Sequence, residues 1–308
     1  MTEAWIAARF IHFAVAMAAF GIGAFRIYAF AGGAVAADAP ARVALDASLA
    51  RAGVVAAALT LLSALAIIPF TAVEMAGSNA AILGPSIWHA VLFDTEFGRV
   101  WCWHLGFAAA LLALSAAPRR PWQAEATLLA ALPVLASLGL TGHAAMDMGG
   151  GTAHEINQMA HLIAGGLWLG GLVPLGVLLH RAIRPDGAEY LALARTALPH
   201  FSQIGYIAVA LLAITGTVNS IMLVASFDAF VTTPYGRLLA VKIALFLTMI
   251  GLALTNRFRL MPRLSRAEVA IVPLRTLARS VFAEQAIGLA ILAVVAVLGT
   301  WPPANMKM

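Results

Sequence analysis

Residues 142–162 read GHAAMDMGGGTAHEINQMAHL, with His143, His154 and His161 and Met146, Met148 and Met159 gathered about a run of glycines. Imidazole nitrogen and thioether sulfur together favour copper, Cu(I) most with sulfur and Cu(II) with nitrogen and carboxylate, whereas zinc more often takes Cys, His and carboxylate. His143, Met146 and Met148 fall within six residues, with the Asp147 carboxylate between them. The glycines at 149–151 let the chain fold back so that His154 and Glu155 join the same ion. The competing reading is an ordinary solvated loop, because loops tolerate His and Met is adaptable.

Three further positions carry the same chemistry at depth. His12, His104 and His161 lie inside apolar stretches. Ionisable groups there are costly and face a bundle interior or cavity, as ligands or as hydrogen-bonded packing residues. His89 and Met159 extend the donor set. Lys242 either snorkels to the surface or lines a pathway, and Asn219, with Thr215 and Thr217, suits hydrogen bonding between helices. Glu125 and Glu284 are placed to pair with Arg120 and Arg279. Cys102 is the one cysteine, which excludes an internal disulfide and any CxxC site.

These donors need elements to hold them, and composition defines those elements. The chain has 308 residues, 62% hydrophobic and 11% charged, too greasy to cover a soluble surface. Apolar runs long enough for a ~30 Å hydrocarbon core fall near 4–31, 47–70, 98–117, 123–142, 155–180, 200–226, 236–256 and 279–301. The expectation is an all-α, polytopic membrane protein of eight transmembrane helices, since continuous runs without alternation exclude barrel strands. AVAAD at 34–38 resembles a signal-peptidase site, yet the preceding run exceeds a signal peptide's apolar region and is read as the first helix. The net charge of +5 is spread between the runs, a topology signal rather than a nucleic-acid patch.

Arg42 and Arg51, Arg119 and Arg120, Arg181, Arg184 and Arg195, and six arginines between 257 and 279 occupy alternate loops. The positive-inside rule makes those loops cytoplasmic and both termini periplasmic. His12, His104 and His161 then lie ~10 Å from the outer ends of their helices. The halves also echo each other. TEFGRVWCWHL from Thr95 matches TPYGRLLAVKI from Thr233, setting His104 opposite Lys242. His12 with Gly21 matches His161 with Gly170, and LGLTGHA matches LGTWPPA. Two parallel four-helix repeats follow, with boundaries at 1–142 and 155–308 around a His/Met loop at 143–154. Within the second, His161, Gly165 and Trp168 share a face, and Gly166 and Gly170 offer a close helix contact.

TGHAA, AHLIAGGLWLGGLVPL, TPYGRLLAVKIAL, ALTNRF and the last helix RSVFAEQAIGLAILAVVAVLGTWPPA, taken in order, resemble the CopD family of bacterial copper-resistance and copper-uptake membrane proteins. The resemblance implies an inner-membrane protein, not an enzyme, that receives copper from the periplasm and passes it inward. It also implies a CopC-type carrier, expected as a separate chain because these residues hold no CopC-like segment. Asn157 and Gln158 stand where relatives are expected to carry an acidic residue before the helix 5 histidine. No P-loop is present to support ATP hydrolysis. The alternatives are a haem b-binding membrane oxidoreductase, with intramembrane histidines as axial ligands, and a copper receptor or scaffold that does not transport.

Overall fold

The computed structural model describes residues 2–33, 35–141, 151–224, 226–266 and 271–302. Among them every regular element is helical. In chain order these are α1 (Thr2–Tyr28), α2 (Pro40–Ala76), α3 (Pro85–Phe93), α4 (Glu96–Ala116), α5 (Gln123–Leu138), α6 (Gly151–Ala182), α7 (Ala188–Leu223), α8 (Phe227–Thr232), α9 (Pro234–Leu264) and α10 (Ile271–Leu298). Seven of them (α1, α2, α4, α6, α7, α9 and α10) are long and apolar enough to cross a membrane. The stretch 123–142, expected as a further span, holds α5, which is apolar but only 16 residues, ~24 Å at 1.5 Å per residue and short of a ~30 Å core. The short helices α3 and α8 were expected as loop.

A membrane protein hides its polar and small residues inside and turns aliphatic side chains to lipid. The bundle follows that rule around α1, which packs on α2, α5, α6 and α10. Its most buried helices are α6 and α1, while α9 turns Val241, Leu247, Leu254 and Phe258 outward. The approach of α1 to α6 depends on glycine. A Cβ on Gly21 would run into the backbone of Gly170, and a Cβ on Gly170 would overlap the Met17 carbonyl. At Gly166–Gly170 the helix widens into a π-turn, and Gly166 admits Leu135 and Phe20 against its backbone.

The matched phrases build matched corners. Thr95 caps α4 by accepting from Gly98 N at 2.9 Å, and Thr233 caps α9 by accepting from Gly236 N at 3.0 Å. Each threonine hydroxyl also donates to a carbonyl of the short helix before it, Val91 or Ala229. Each glycine lets that helix's last carbonyls close in where a Cβ would clash.

At the arginine-rich end, Arg26 of α1 grips Asp46 of α2 at 2.7 Å, and Arg181 of α6 donates to Ser48. The expected pairs of Glu125 and Glu284 with Arg120 and Arg279 do not form. Each pair is five residues apart, which points the side chains ~140° away from each other on a helix. Glu125 is exposed, and the buried Glu284 instead accepts from Asn256 Nδ2 at the π-turn of α9.

Candidate metal-binding site

Three imidazoles are held in one way. His12 Nδ1 on α1 meets Ser63 Oγ on α2 at 2.9 Å, His104 Nδ1 on α4 meets Ser137 Oγ on α5 at 2.8 Å, and His161 Nδ1 on α6 meets Thr215 Oγ1 on α7 at 2.8 Å. Each hydroxyl has one proton and gives it to its own helix. Ser63 donates to Leu59 O at 2.6 Å, Ser137 to Val134 O at 3.0 Å and Thr215 to Leu211 O at 2.6 Å. The hydroxyl can therefore only accept from the ring, so Nδ1 carries the proton in all three histidines. Their Nε2 atoms are left with a free lone pair, the tautomer a metal ligand requires.

Two of those Nε2 atoms belong to rings that touch each other. The rings of His12 and His104 stand edge to face with centroids 4.9 Å apart, and both Nε2 atoms are buried without a hydrogen-bond partner. Trp101 stacks on His104 at 4.6 Å and on Phe97 at 5.1 Å, and its indole N–H donates to Ala64 O at 3.1 Å. His104 is thus fixed by a serine at its edge and an indole on its face. A buried imidazole with an empty acceptor costs stability, which makes the pair a place for a guest.

A cavity of about 290 Å³ opens to this pair from the histidine-rich end of the bundle. His12 lines it, and His104, with no exposed surface, lies behind His12. His154 lines it too, and here the structure corrects the sequence. His154 is not a loop residue but sits in the first turn of α6, 2% exposed, with Nδ1 unpartnered. Gly151, at φ 47°, opens that helix where any side chain would be strained, which pulls His154 out of the loop and into the wall. Lys242 also lines the cavity instead of snorkelling away, with Arg9 and Trp5 nearby on the wall.

Asn219 lies on the same wall but is engaged. It accepts from Asn157 Nδ2 at 2.8 Å and donates to Gln158 Oε1 at 2.7 Å, lacing α7 to α6. The two amides that replace an expected carboxylate thus have a structural role. His161 makes no ring contact with His12 or His104 among the described residues, and its Cε1 lies beside Gly216 on α7. Glu155 and Met159 are half-buried on α6, with Met159 packed on Gly139. His89 is exposed on α3, its ring against Phe93. Cys102 is half-buried, its thiol toward Leu92 O at 3.9 Å. His143, Met146, Asp147 and Met148 lie outside the described residues. Among the described residues no three His, Cys, Asp or Glu converge, so the candidate is a two-imidazole site. Sequence reading missed Ser63, Ser137, Arg9 and Trp5. The serines had a signal: each sits at its histidine's depth on the next long helix.

Fold and site together define a multi-pass helical membrane protein with paired imidazoles beneath a cavity at one end. Residues 1–153 match the family model "Copper resistance protein D-like, N-terminal domain", and residues 195–298 match "Copper resistance protein D". The chain is 31% identical to Inner membrane protein YebZ of Escherichia coli (strain K12), over 97% of this chain and 98% of that one. It is 31% identical to Copper resistance protein D of Pseudomonas syringae pv. tomato, over 97% and 96%. Copper transport protein CutJ of Bacillus subtilis (strain 168) is 29% identical over 75% of this chain and 42% of its own length. No solved structure matches. The chain belongs to the copper resistance protein D family and is a multi-pass inner-membrane protein.

Proposed function

We propose that this protein takes copper from the periplasm and carries it across the inner membrane, with His12 and His104 as the first intramembrane ligands. The observation that carries the reading is the pair of buried, unpartnered Nε2 lone pairs beneath the cavity. Copper is the cargo. Two neutral imidazoles suit Cu(I), which accepts low coordination numbers, and they bury no negative charge in a low-dielectric interior. The order is read from burial: His154 and His12 at the wall receive the ion, and His104, fully buried at the same level as His12, takes it from the cavity. His143, Met146 and Met148, with Asp147, are the capture ligands in the sequence just before α6, joined by Glu155 near the start of that helix and fed by a CopC-type carrier on a separate chain. His161 holds the matching place in the second half, where Lys242 stands in for a second imidazole.

The topology that goes with this function has eight spans with α5 as the fourth, both termini periplasmic, and the arginine-rich loops in the cytoplasm. Two parallel repeats, 1–142 and 155–308, are supported by the recurrent corners at Thr95 and Thr233 and the imidazole–hydroxyl pairs His12–Ser63 and His161–Thr215. Matched Gly21 and Gly170 touch each other, as equivalent residues must near a two-fold axis along the membrane normal. The halves differ where it matters for metal. Lys242 replaces His104, and Val297 replaces Ser137 when LGLTGHA is laid on LGTWPPA.

The test is copper content of the purified protein with copper accumulation in reconstituted vesicles, for the wild type and His12→Ala/His104→Ala. One copper per chain and uptake, both lost in the variant, is the expected result. Unchanged accumulation by a folded double variant overturns the reading. Binding without accumulation assigns a receptor or scaffold. A reducible Soret band identifies haem, although rings in contact leave no slot between His12 and His104 for a macrocycle.

A further inference from the structure

The cavity above His12 has a charge pattern that a bare cation does not explain. Arg9 and Lys242 both line it, and among the described residues no Asp or Glu does. Among the described residues the ion pairs are Arg26–Asp46 and Arg99–Glu96, so neither cavity cation has a carboxylate partner. Arg9 Nε and Trp5 Nε1 are buried donors with no acceptor. The Arg9 guanidinium lies 6.0 Å from the Trp5 ring and 5.8 Å from that of Phe13, which offsets part of its charge but supplies no lone pair. Cationic groups within spans are costly unless paired, and like charge repels an arriving metal ion. At about 290 Å³ the cavity approaches the ~300 Å³ lower bound of small-molecule sites, far more than one ion fills.

We propose that the cavity admits copper as a complex with a small carboxylate ligand, a reading that rests on the copper function above. The carboxylate docks on Arg9, one helical turn before His12 on α1, and on Trp5 Nε1 and Lys242 of the same cavity. The metal then exchanges ligands: a carboxylate oxygen–copper bond breaks as the His12 Nε2–copper bond forms, with the oxidation state unchanged. The freed carboxylate leaves as an anion, its charge balanced by the two cations while it stays in the cavity. Arg9 and Lys242 thereby select the form in which the metal arrives and turn away the uncomplexed cation.

The experiment has two arms on the full-length protein in detergent. Metal-free protein is titrated with citrate against sodium chloride at matched ionic strength, with thermal unfolding as readout. Saturable stabilisation by citrate is expected, weakened roughly tenfold or more in Arg9→Gln and in Lys242→Gln and retained in Arg9→Lys. Copper(II) loading is then compared from copper(II) citrate and from a copper(II) ammine complex, which carries no carboxylate, at equal free copper(II). The glutamine variants should slow only the citrate route. Absence of saturable citrate binding in the wild type overturns the proposal. So does its appearance only in Asp147→Asn, which assigns the cavity to the chain's own carboxylate, and so does equal slowing of both copper routes. The metal-free arm reads carboxylate docking alone, so loss of the histidine-pair reading is distinguishable from loss of this one.

Discussion

His12 and His104 meet edge to face, ring planes inclined by 62° with centroids 4.9 Å apart, and share no hydrogen bond with each other. Each is aimed by a serine on a different helix, so the geometry of the pair is set by four helices at once. Removing the serines leaves both ligands present but frees their rings and tautomers. Ser63→Ala/Ser137→Ala should therefore weaken copper binding by about 10–100-fold without abolishing it, the usual cost of losing a supporting hydrogen bond behind a metal ligand. Competition titration against a copper chelator measures this. An unchanged affinity shows that the hydroxyls do not orient the ligands.

The α1–α6 crossing makes a stability prediction. Gly170→Ala places a methyl group on the Met17 carbonyl, and the helices must separate to relieve it, at a cost of about 1–3 kcal/mol. Gly205→Ala on α7 is the control, because nothing lies within 4 Å of the added methyl group. Thermal unfolding in detergent should show a clear drop for the first and none for the second. Equal behaviour of the two variants removes the crossing from the account of what holds the bundle.

How much of this was readable from sequence follows from which physical signals are local. Span length and hydropathy are local, so the seven long helices appear where the apolar runs lie, and even α5 begins at the expected residue 123. Depth is local too, since counting along a helix places His12 and His104 at one level. Partnership is not local. The spacing set His12 with His161 and made His104 the lesser donor, whereas the packing of α4 against α2 and α5 brings the His104 ring onto His12. Ser63 and Ser137 sit at the depth of their histidines, but serines that donate to their own helix are common in membranes, so depth alone did not single them out. His154 was misplaced because three glycines read as loop, whereas Gly151 starts a helix.

Glu284 separates a structural carboxylate from an exit ligand. It is 2% exposed and accepts from Asn256, far along α10 from the histidine end. Glu284→Ala leaves the Asn256 amide buried without its acceptor, and a loss of about 1–3 kcal/mol of stability is expected. Copper affinity at the His12–His104 pair should stay within about twofold, because the sites share no partner. Melting curves and copper titration on one preparation decide. A large loss of copper affinity with normal stability would give Glu284 a place on the metal path.

The proposed repeat makes a constructive prediction at Lys242. His161 already has what His12 has, a hydroxyl holding Nδ1 and a free Nε2. Its half lacks a second imidazole, because Lys242 stands at the position matched to His104. A cation beside an imidazole keeps metal away as effectively as a missing ligand does. Lys242→His removes the charge and supplies the missing ring in one step, so bound copper should rise from one to two per chain. Lys242→Met, which removes only the charge and places a thioether in that position, should bind its second copper more weakly than Lys242→His. Equilibrium dialysis with metal analysis gives both counts. If folded Lys242→His still binds a single copper, the halves do not correspond in the way the matched sequences propose, and the metal site belongs to the first half by construction rather than by loss from the second.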